Sequence, residues 1–332
     1  MARITKKAFV FTILFIVLII TPVFLNQYYN YLLSPVSRKG TESQKVFIIT
    51  PGQSLGTIAS NLKKQNLIRN PLAFRLYVAQ IGIEKSIQAG DFKISSSQSS
   101  KDIAQNLTHG AIDVWITLPE GLRLEEQAAK IEEKLKFGQN SNYQFDKKEY
   151  IKIAREGYMF PDTYLIPKDA TAKDVAAKLT DTFNQKVSDL LKNSKSKLSD
   201  DDIITLASLL EKEAKTPEEK PTIAGIITNR LNVGMPLQVD ATVAYAKGYD
   251  TAQNTWWPQV TTEEYKSVKS PYNTYLSPGL PPGPIDSPGI DSITAALNPT
   301  DTDYLYYLHD TKGQIHYAKT AAEHNQNIKN FL

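Results

Sequence analysis

At 332 residues the chain has room for about two domains, each large enough for a core of its own. A net charge of +3 with 22% charged residues, the basic ones scattered, gives no support for nucleic-acid binding. The absence of cysteine excludes disulfides, zinc–thiolate sites and cysteine nucleophiles. The four histidines, His109, His309, His316 and His324, show no ligand spacing, so neither a metal nor another cofactor is expected.

Ala8 to Leu25 is nearly unbroken Phe, Ile, Leu and Val, interrupted by Thr12, Thr21 and Pro22. Such a run is just long enough to cross a bilayer, which takes roughly 20 helical residues. Arg3, Lys6 and Lys7 precede it, while Tyr28, Tyr29 and Tyr31 follow. Positive charge before the run and aromatics after it predict a single span with the N-terminus inside. The expectation is a cytoplasmic tail over 1–7, a transmembrane helix over 8–27, and the remaining chain outside the cytoplasm at the cell membrane. The rival is a cleaved signal peptide, but the run is long for one and no A-x-A-like site follows it closely. Residues 28–45 read as a tether, polar and rich in breakers from Ser34 to Lys45.

Val46 to Leu62 reads as strand, turn and amphipathic helix, and Val114 to Ile131 repeats that order with one more residue in the turn. The first copy, with Gly52-Gln53-Ser54-Leu55 and Ile58-Ala59, resembles the opening of a LysM module, a small fold that binds N-acetylglucosamine polymers. A docking domain that binds no sugar is the alternative. Between the copies, Pro71 to Ile81 reads as a helix opened by proline, Gly90 to Ile94 as a strand, and Lys101 to Leu107 as a short helix. A helix follows from Glu149. Tyr158 to Pro167 reads as an aromatic loop, too proline-rich for a central strand. Thr171 to Lys192 reads as a long helix, and Ser199-Asp200-Asp201 caps the next one. Pro221 to Leu231 is another helix, and from Gly234 onward Pro, Gly and aromatics dominate. Tyr304 to Leu308 and Ile315 to Ala318 read as a hairpin, and Ala321 to Phe331 as a last helix. This mixed order predicts an α+β fold.

The chemistry concentrates at the end of the helix Ile203 to Glu213, which carries Glu211 and Glu213. At about 100° per residue, Glu211 lies roughly 70° from the centre of the apolar stripe and Glu213 about 90° away on the opposite border. A poorly solvated carboxyl can hold a proton near neutral pH, as glycosidic-bond cleavage requires of its acid. Geometry favours Glu211 narrowly, and an ordinary solvated helix end is the bland alternative. Gln238, Asp240, Thr242 and Tyr245, followed by Asn273, Thr274 and Tyr275 ahead of a proline-rich rim from Pro278 to Pro284, offer the amides, hydroxyls and aromatic faces of a sugar cleft. These seven are the candidate substrate-binding residues.

Three blocks, Leu206 to Ala214, Asn229 to Tyr245 and Tyr272 to Gly289, resemble the endolytic murein transglycosylase, or YceG-like, family. The likeness runs from the apolar N-terminus to Glu323-His324-Asn325. It implies that Glu211 is catalytic, that residues 46–112 form a LysM-like subdomain and 113–332 a catalytic domain, and that nascent peptidoglycan strands are cut internally, ending their elongation. It implies a lyase that leaves 1,6-anhydro-N-acetylmuramic acid ends, with peptidoglycan as partner and peptidoglycan synthases as associates. Ala241 departs from the family's pattern, where a proline is expected, and His309 stands where a smaller or apolar residue is usual. Two alternatives stay open: a hydrolase pairing Glu211 with Asp240, and a wall-binding scaffold without activity.

Overall fold

The computed structural model of the chain describes residues 21–37, 44–109, 111–136 and 144–332. Most of the expected membrane span lies outside the described residues. Within them, residues 21–33 are helical (α1), and no helix is long and apolar enough to cross a membrane.

The chain divides into two compact units. The first comprises Met1–Trp115 with Lys134–Tyr143 and Leu165–Asp169. It contains β1 (Lys45–Ile49), α2 (Leu55–Lys64), α3 (Pro71–Gln80), β2 (Gly90–Ile94) and α4 (Ser100–His109). Ser54 caps α2 by accepting from the Thr57 N–H, and Asn70 caps α3 ahead of Pro71. β1 and β2 pair antiparallel, with Phe47 opposite Phe92, and both rings are fully buried with Leu62, Phe74 and Ile103. β2 pairs in turn with β3 (Ala111–Leu118), through an irregularity between Asp91 and Phe92. The strand order is β1-β2-β3-β4, with β4 at Asp162–Pro167. This corrects the loop expected over Tyr158 to Pro167. Its second half is a strand, tolerated despite its prolines because β4 is an edge strand that ends at Pro167.

The second unit, Ile116–Glu133 with Gln144–Tyr164 and Ala170–Leu332, is mostly helical. Its elements are α5 (Leu124–Leu135), α6 (Lys147–Ile153), α7 (Ala172–Lys192), α8 (Asp200–Glu213), α9 (Lys220–Asn232), α10 (Asp240–Lys247), the single turn α11 (Glu264–Ser267), α12 (Ile290–Leu297), the hairpin β5 (Tyr306–His309) and β6 (Ile315–Ala318), and α13 (Ala321–Phe331). The mixed α+β class follows, with antiparallel sheets.

Helix α8 is the axis of this unit. Ser199 caps it by accepting from the Asp202 N–H, and the acidic residues Asp200, Asp201 and Asp202 in its first turn suit the positive end of the helix dipole. All eight residues from Ile203 to Leu210 are buried, so the helix has no solvent face between its first and last turns. That corrects the amphipathic stripe read from sequence: α12 packs along α8 and covers the side that would otherwise be open, with α9 and α10 against it as well. The two buried hydroxyls on α8 are satisfied internally, Thr205 donating to the Asp201 carbonyl and Ser208 to that of Thr205.

Helix α9 lies against the 300–305 segment. Asn229 donates to the carbonyls of Thr302 and Tyr304, and Arg230 to those of Leu305 and Leu237. The approach is closest at Gly225, where an added Cβ would fall 2.2 Å from the Thr300 carbonyl oxygen. Alanine is the better helix former by about 1 kcal/mol. Here the clash reverses the sign, and Gly225→Ala should lower stability by about 1–3 kcal/mol in urea unfolding. An unchanged or raised midpoint would contradict this packing.

Candidate active site

Glu211 and Glu213 leave the last turn of α8 about 200° apart, and the second unit gives each its own surroundings. Glu211 is 11% exposed. Its Oε2 accepts from the Gly289 N–H at 3.0 Å and from the Ser292 hydroxyl at 2.6 Å, both at the start of α12. The Lys220 ammonium, itself buried, stands 3.3 Å from Oε2 and 3.4 Å from Oε1. A carboxylate on a helix N-terminus with a hydroxyl and an ammonium is held in one orientation. Oε1 meets only the lysine, at 3.4 Å, so it is the less engaged oxygen and the better placed to take and give a proton.

The loop carrying Gly289 is fixed from below. Ser208 of α8 accepts from the Ile285 N–H. Ser287 exchanges backbone hydrogen bonds with Gly121 and Leu122, in the turn between β3 and α5. Gln127 of α5, wholly buried, donates to the Ser287 hydroxyl at 2.8 Å and accepts from Tyr150. Lys212 donates to the Gly121 carbonyl at 2.6 Å and lies 3.6 Å over the Trp257 ring. Asp286, fully buried 3.9 Å from that lysine, has its pKa pushed well up by burial.

Glu213 sits elsewhere. It accepts from the Tyr307 hydroxyl, and burial raises its pKa. Asp240 belongs to this side: its charge acts on Glu213, and its oxygens take the hydroxyls of Tyr265 and Tyr275, whose rings stack 4.0 Å apart. His309, the unusual residue of β5, bonds Glu219 at 3.0 Å, and Ala241 packs against the core.

The seven candidate binding residues divide accordingly. Gln238 is exposed, with a positive φ of 52°. Asp240 is also exposed, while Tyr245 and Tyr275 are half-buried. Thr242, Asn273 and Thr274 are buried and correct their assignment to substrate contact. The two threonine hydroxyls bond each other, and Asn273 bonds the carbonyls of Tyr265 and Val268 and the Tyr275 N–H. They shape the loop. His316 bonds Asp310 and stacks on Phe331, and His324 stacks on Tyr306. Among the described residues no group of His, Cys, Asp and Glu could hold a metal ion.

Sequence reasoning missed Lys220, Gly289 and Ser292. The signal for α12 was present as Ile290, Ile293 and Leu297 at three- and four-residue spacing after Pro288-Gly289. It also missed the aromatic wall around Tyr245, where Tyr272 and Trp257 flank the ring and Arg123 lies 4.3 Å above it and 4.6 Å from the Trp256 ring.

Residues 47–330 match the YceG-like family. The chain belongs to it. A YceG-like relative from Bacillus subtilis (strain 168), named endolytic murein transglycosylase, is 33% identical over 92% of this chain and 89% of its own length. One of the same name from Streptococcus pneumoniae (strain D39) is 30% identical over 90% of this chain. The alignment spans 61% of that longer protein. The crystal structure of a yceG-like protein from Listeria monocytogenes superposes with a TM-score of 0.58 at 27% identity, covering 86% of this chain and 99% of that one.

Behind Tyr245 a further carboxyl is withdrawn from water. Glu156 accepts from the Tyr245 hydroxyl and the Leu124 N–H, both at 3.3 Å, while its other oxygen is buried without a partner. Burial pushes its pKa from 4.5 up to about 8. The folded protein then keeps a proton that the unfolded chain releases, so stability falls as pH rises between those two values. Glu156→Gln should remove that loss: in urea unfolding its stability relative to wild type should improve steadily between pH 5 and 8. A constant difference across that range would contradict the burial of the carboxyl.

Proposed function

We propose that this chain is an endolytic lytic transglycosylase that cuts peptidoglycan strands internally, between N-acetylmuramic acid and N-acetylglucosamine. It leaves 1,6-anhydro-N-acetylmuramic acid ends and so terminates strand elongation. The carrying observation is Glu211, a carboxyl fixed by three donors with Oε1 engaged by the Lys220 ammonium alone, in a chain whose relatives are named endolytic murein transglycosylases.

In this reading, protonated Oε1 of Glu211 gives its proton to the glycosidic oxygen as the bond to the muramyl C1 breaks. The resulting carboxylate takes the proton of the muramyl C6 hydroxyl, whose oxygen bonds to C1 and closes the anhydro ring. No water is consumed, and the residue ends the cycle protonated as it began. Gly289 and Ser292 hold Oε2 still through both transfers, and Lys220 steadies the intervening negative charge.

A hydrolase would need a second carboxylate to activate water or to form a covalent intermediate. Asp240 is a poor choice, because its oxygens are taken by Tyr265 and Tyr275 on the Glu213 side of α8. A scaffold that only binds the wall has no use for a carboxyl held this way.

The proposal extends to the rest of the chain. Residues 8–27 form a single-pass anchor in the cytoplasmic membrane, with the N-terminus inside and the catalytic residues outside. Residues 46–112 form a LysM-like subdomain and 113–332 the catalytic domain. Two helices between the antiparallel strands β1 and β2, and a cleft of about 340 Å³ between the Thr50–Leu55 turn and the residues leading into β2, support the LysM-like reading. Peptidoglycan synthases are the expected associates.

Glu211→Gln keeps the shape and the accepting oxygen but cannot cycle a proton. It should cut cleavage of uncrosslinked glycan strands by at least about 100-fold while leaving the fold intact. Mass spectrometry of the wild-type products should find anhydro ends one water lighter than hydrolysis products. Hydrolysed ends, or near-normal cleavage by the variant, would refute the mechanism.

A further inference from the structure

The turn between β3 and α5 brings a second carboxyl to Glu211. Gly121 has φ of +74°, and a Cβ there would lie 3.2 Å from Lys212 Nζ and 3.6 Å from Glu211 Cγ, so the turn rests on the side chain of Glu211 itself. Its backbone has little freedom, tied to Ser287 by two hydrogen bonds and to Lys212 by a third. Glu120, one residue earlier, aims its carboxyl at Gly289: a Cβ built on that glycine would fall 1.9 Å from Oε1 and 2.7 Å from Oε2 of Glu120. Gly289 therefore offers its N–H to Glu211 and its bare Cα to Glu120. A side chain at 289 would push the Glu120 carboxyl out of this place.

Glu120 lies at the surface with its carboxyl end turned inward against Gly289 and partly withdrawn from water, and it has no hydrogen-bond partner among the described residues. The charged groups that act on it are Glu211 from α8, Lys220 from α9 and Asp291 from α12. Lys212 holds the turn, and Asp286 lies behind that lysine. One ammonium thus serves two carboxyls that differ in every other respect: Glu211 has donors from Gly289 and Ser292, and Glu120 has none. Partial burial, followed by the charge of Glu211, raises the pKa of Glu120.

We propose that Glu120 is a positioning residue for Glu211, the second member of a carboxyl pair set on the two sides of Gly289. The inference rests on the acid/base reading of Glu211. In the proposed cycle the proton of Glu211 passes to the glycosidic oxygen, and the proton of the C6 hydroxyl restores it. The charge of Glu120 beside Gly289 opposes the charge that Glu211 takes on as it gives its proton, and this repulsion is what Glu120 contributes to the acid step.

The test has two arms, both on the full-length chain. The first needs no activity: the pH dependence of carbodiimide coupling at Glu120, which requires the protonated carboxyl, is followed by peptide mass spectrometry in wild type and in Glu211→Gln. Removing the neighbouring charge should lower the Glu120 midpoint by about half a pH unit or more. The second is the pH–rate profile of glycan cleavage for Glu120→Gln and Glu120→Asp. Glu120→Gln should lower kcat by about tenfold, leave KM little changed, and move the alkaline limb toward acid, with Glu120→Asp recovering part of both effects. An unmoved Glu120 midpoint overturns the pairing. A moved midpoint with an unaltered kcat and pH profile in Glu120→Gln overturns its role in the reaction. A wild-type protein that cleaves no glycan counts against the proposed function instead, and the coupling arm still decides the pair.

Discussion

The site depends on the meeting of two helix ends: α8 finishes where α12 begins, and Glu211 of the first accepts from Gly289 and Ser292 of the second. A carboxylate at the end of its own helix faces that helix's negative pole, an unfavourable place for charge. The start of α12 supplies the opposite pole, and Lys220 adds a full positive charge from α9. The packing of α8, α9 and α12 is therefore what makes an ionisable side chain tolerable there. The wholly buried stretch from Ile203 to Leu210 holds that packing in place. Breaking the contact would cost more than a hydrogen bond, because it would leave Lys220 buried without its partner.

The same helix end separates two chemistries. Glu213, two residues on, turns away toward Tyr307 and the Asp240 cluster, where phenols satisfy the acids and Arg230 stands nearby. Glu211 turns toward the start of α12, one ammonium and one further acid at Glu120. Between the turn that carries Glu120 and the aromatic wall, Lys212 and Arg123 lie over the rings of Trp257, Tyr245 and Trp256. Those rings and cations form a surface suited to pyranose faces and to the acidic groups of a wall polymer.

How much of this could be read in the amino-acid order follows from the range of each interaction. Local signals were legible: the Ser199 cap, Pro71 opening α3, the hairpin of β5 and β6, and the last helix over Ala321 to Phe331 all rest on neighbours a few residues apart. The divergence of Glu211 and Glu213 was legible too, because helical spacing alone requires it. What was lost are the contacts across about eighty residues. Ser292 reads as an ordinary helix serine, and Gly289 as one more glycine in a proline-rich run, until α12 is laid on α8. Thr242, Asn273 and Thr274 look like sugar ligands because their groups can bond hydroxyls. In the fold those groups bond one another and the loop backbone. Residue type named the chemistry available, and only tertiary packing decided which groups remained free to use it.

In the proposed cycle Oε1 of Glu211 meets the scissile glycosidic oxygen. A crystal structure of Glu211→Gln with an uncrosslinked glycan strand bound tests it most directly. That strand should lie along the Tyr245 and Trp257 wall, with the side chain at position 211 about 3 Å from an oxygen joining N-acetylmuramic acid to N-acetylglucosamine. A strand seated on the Asp240 and Glu213 side, with that oxygen out of hydrogen-bond reach of position 211, would contradict it.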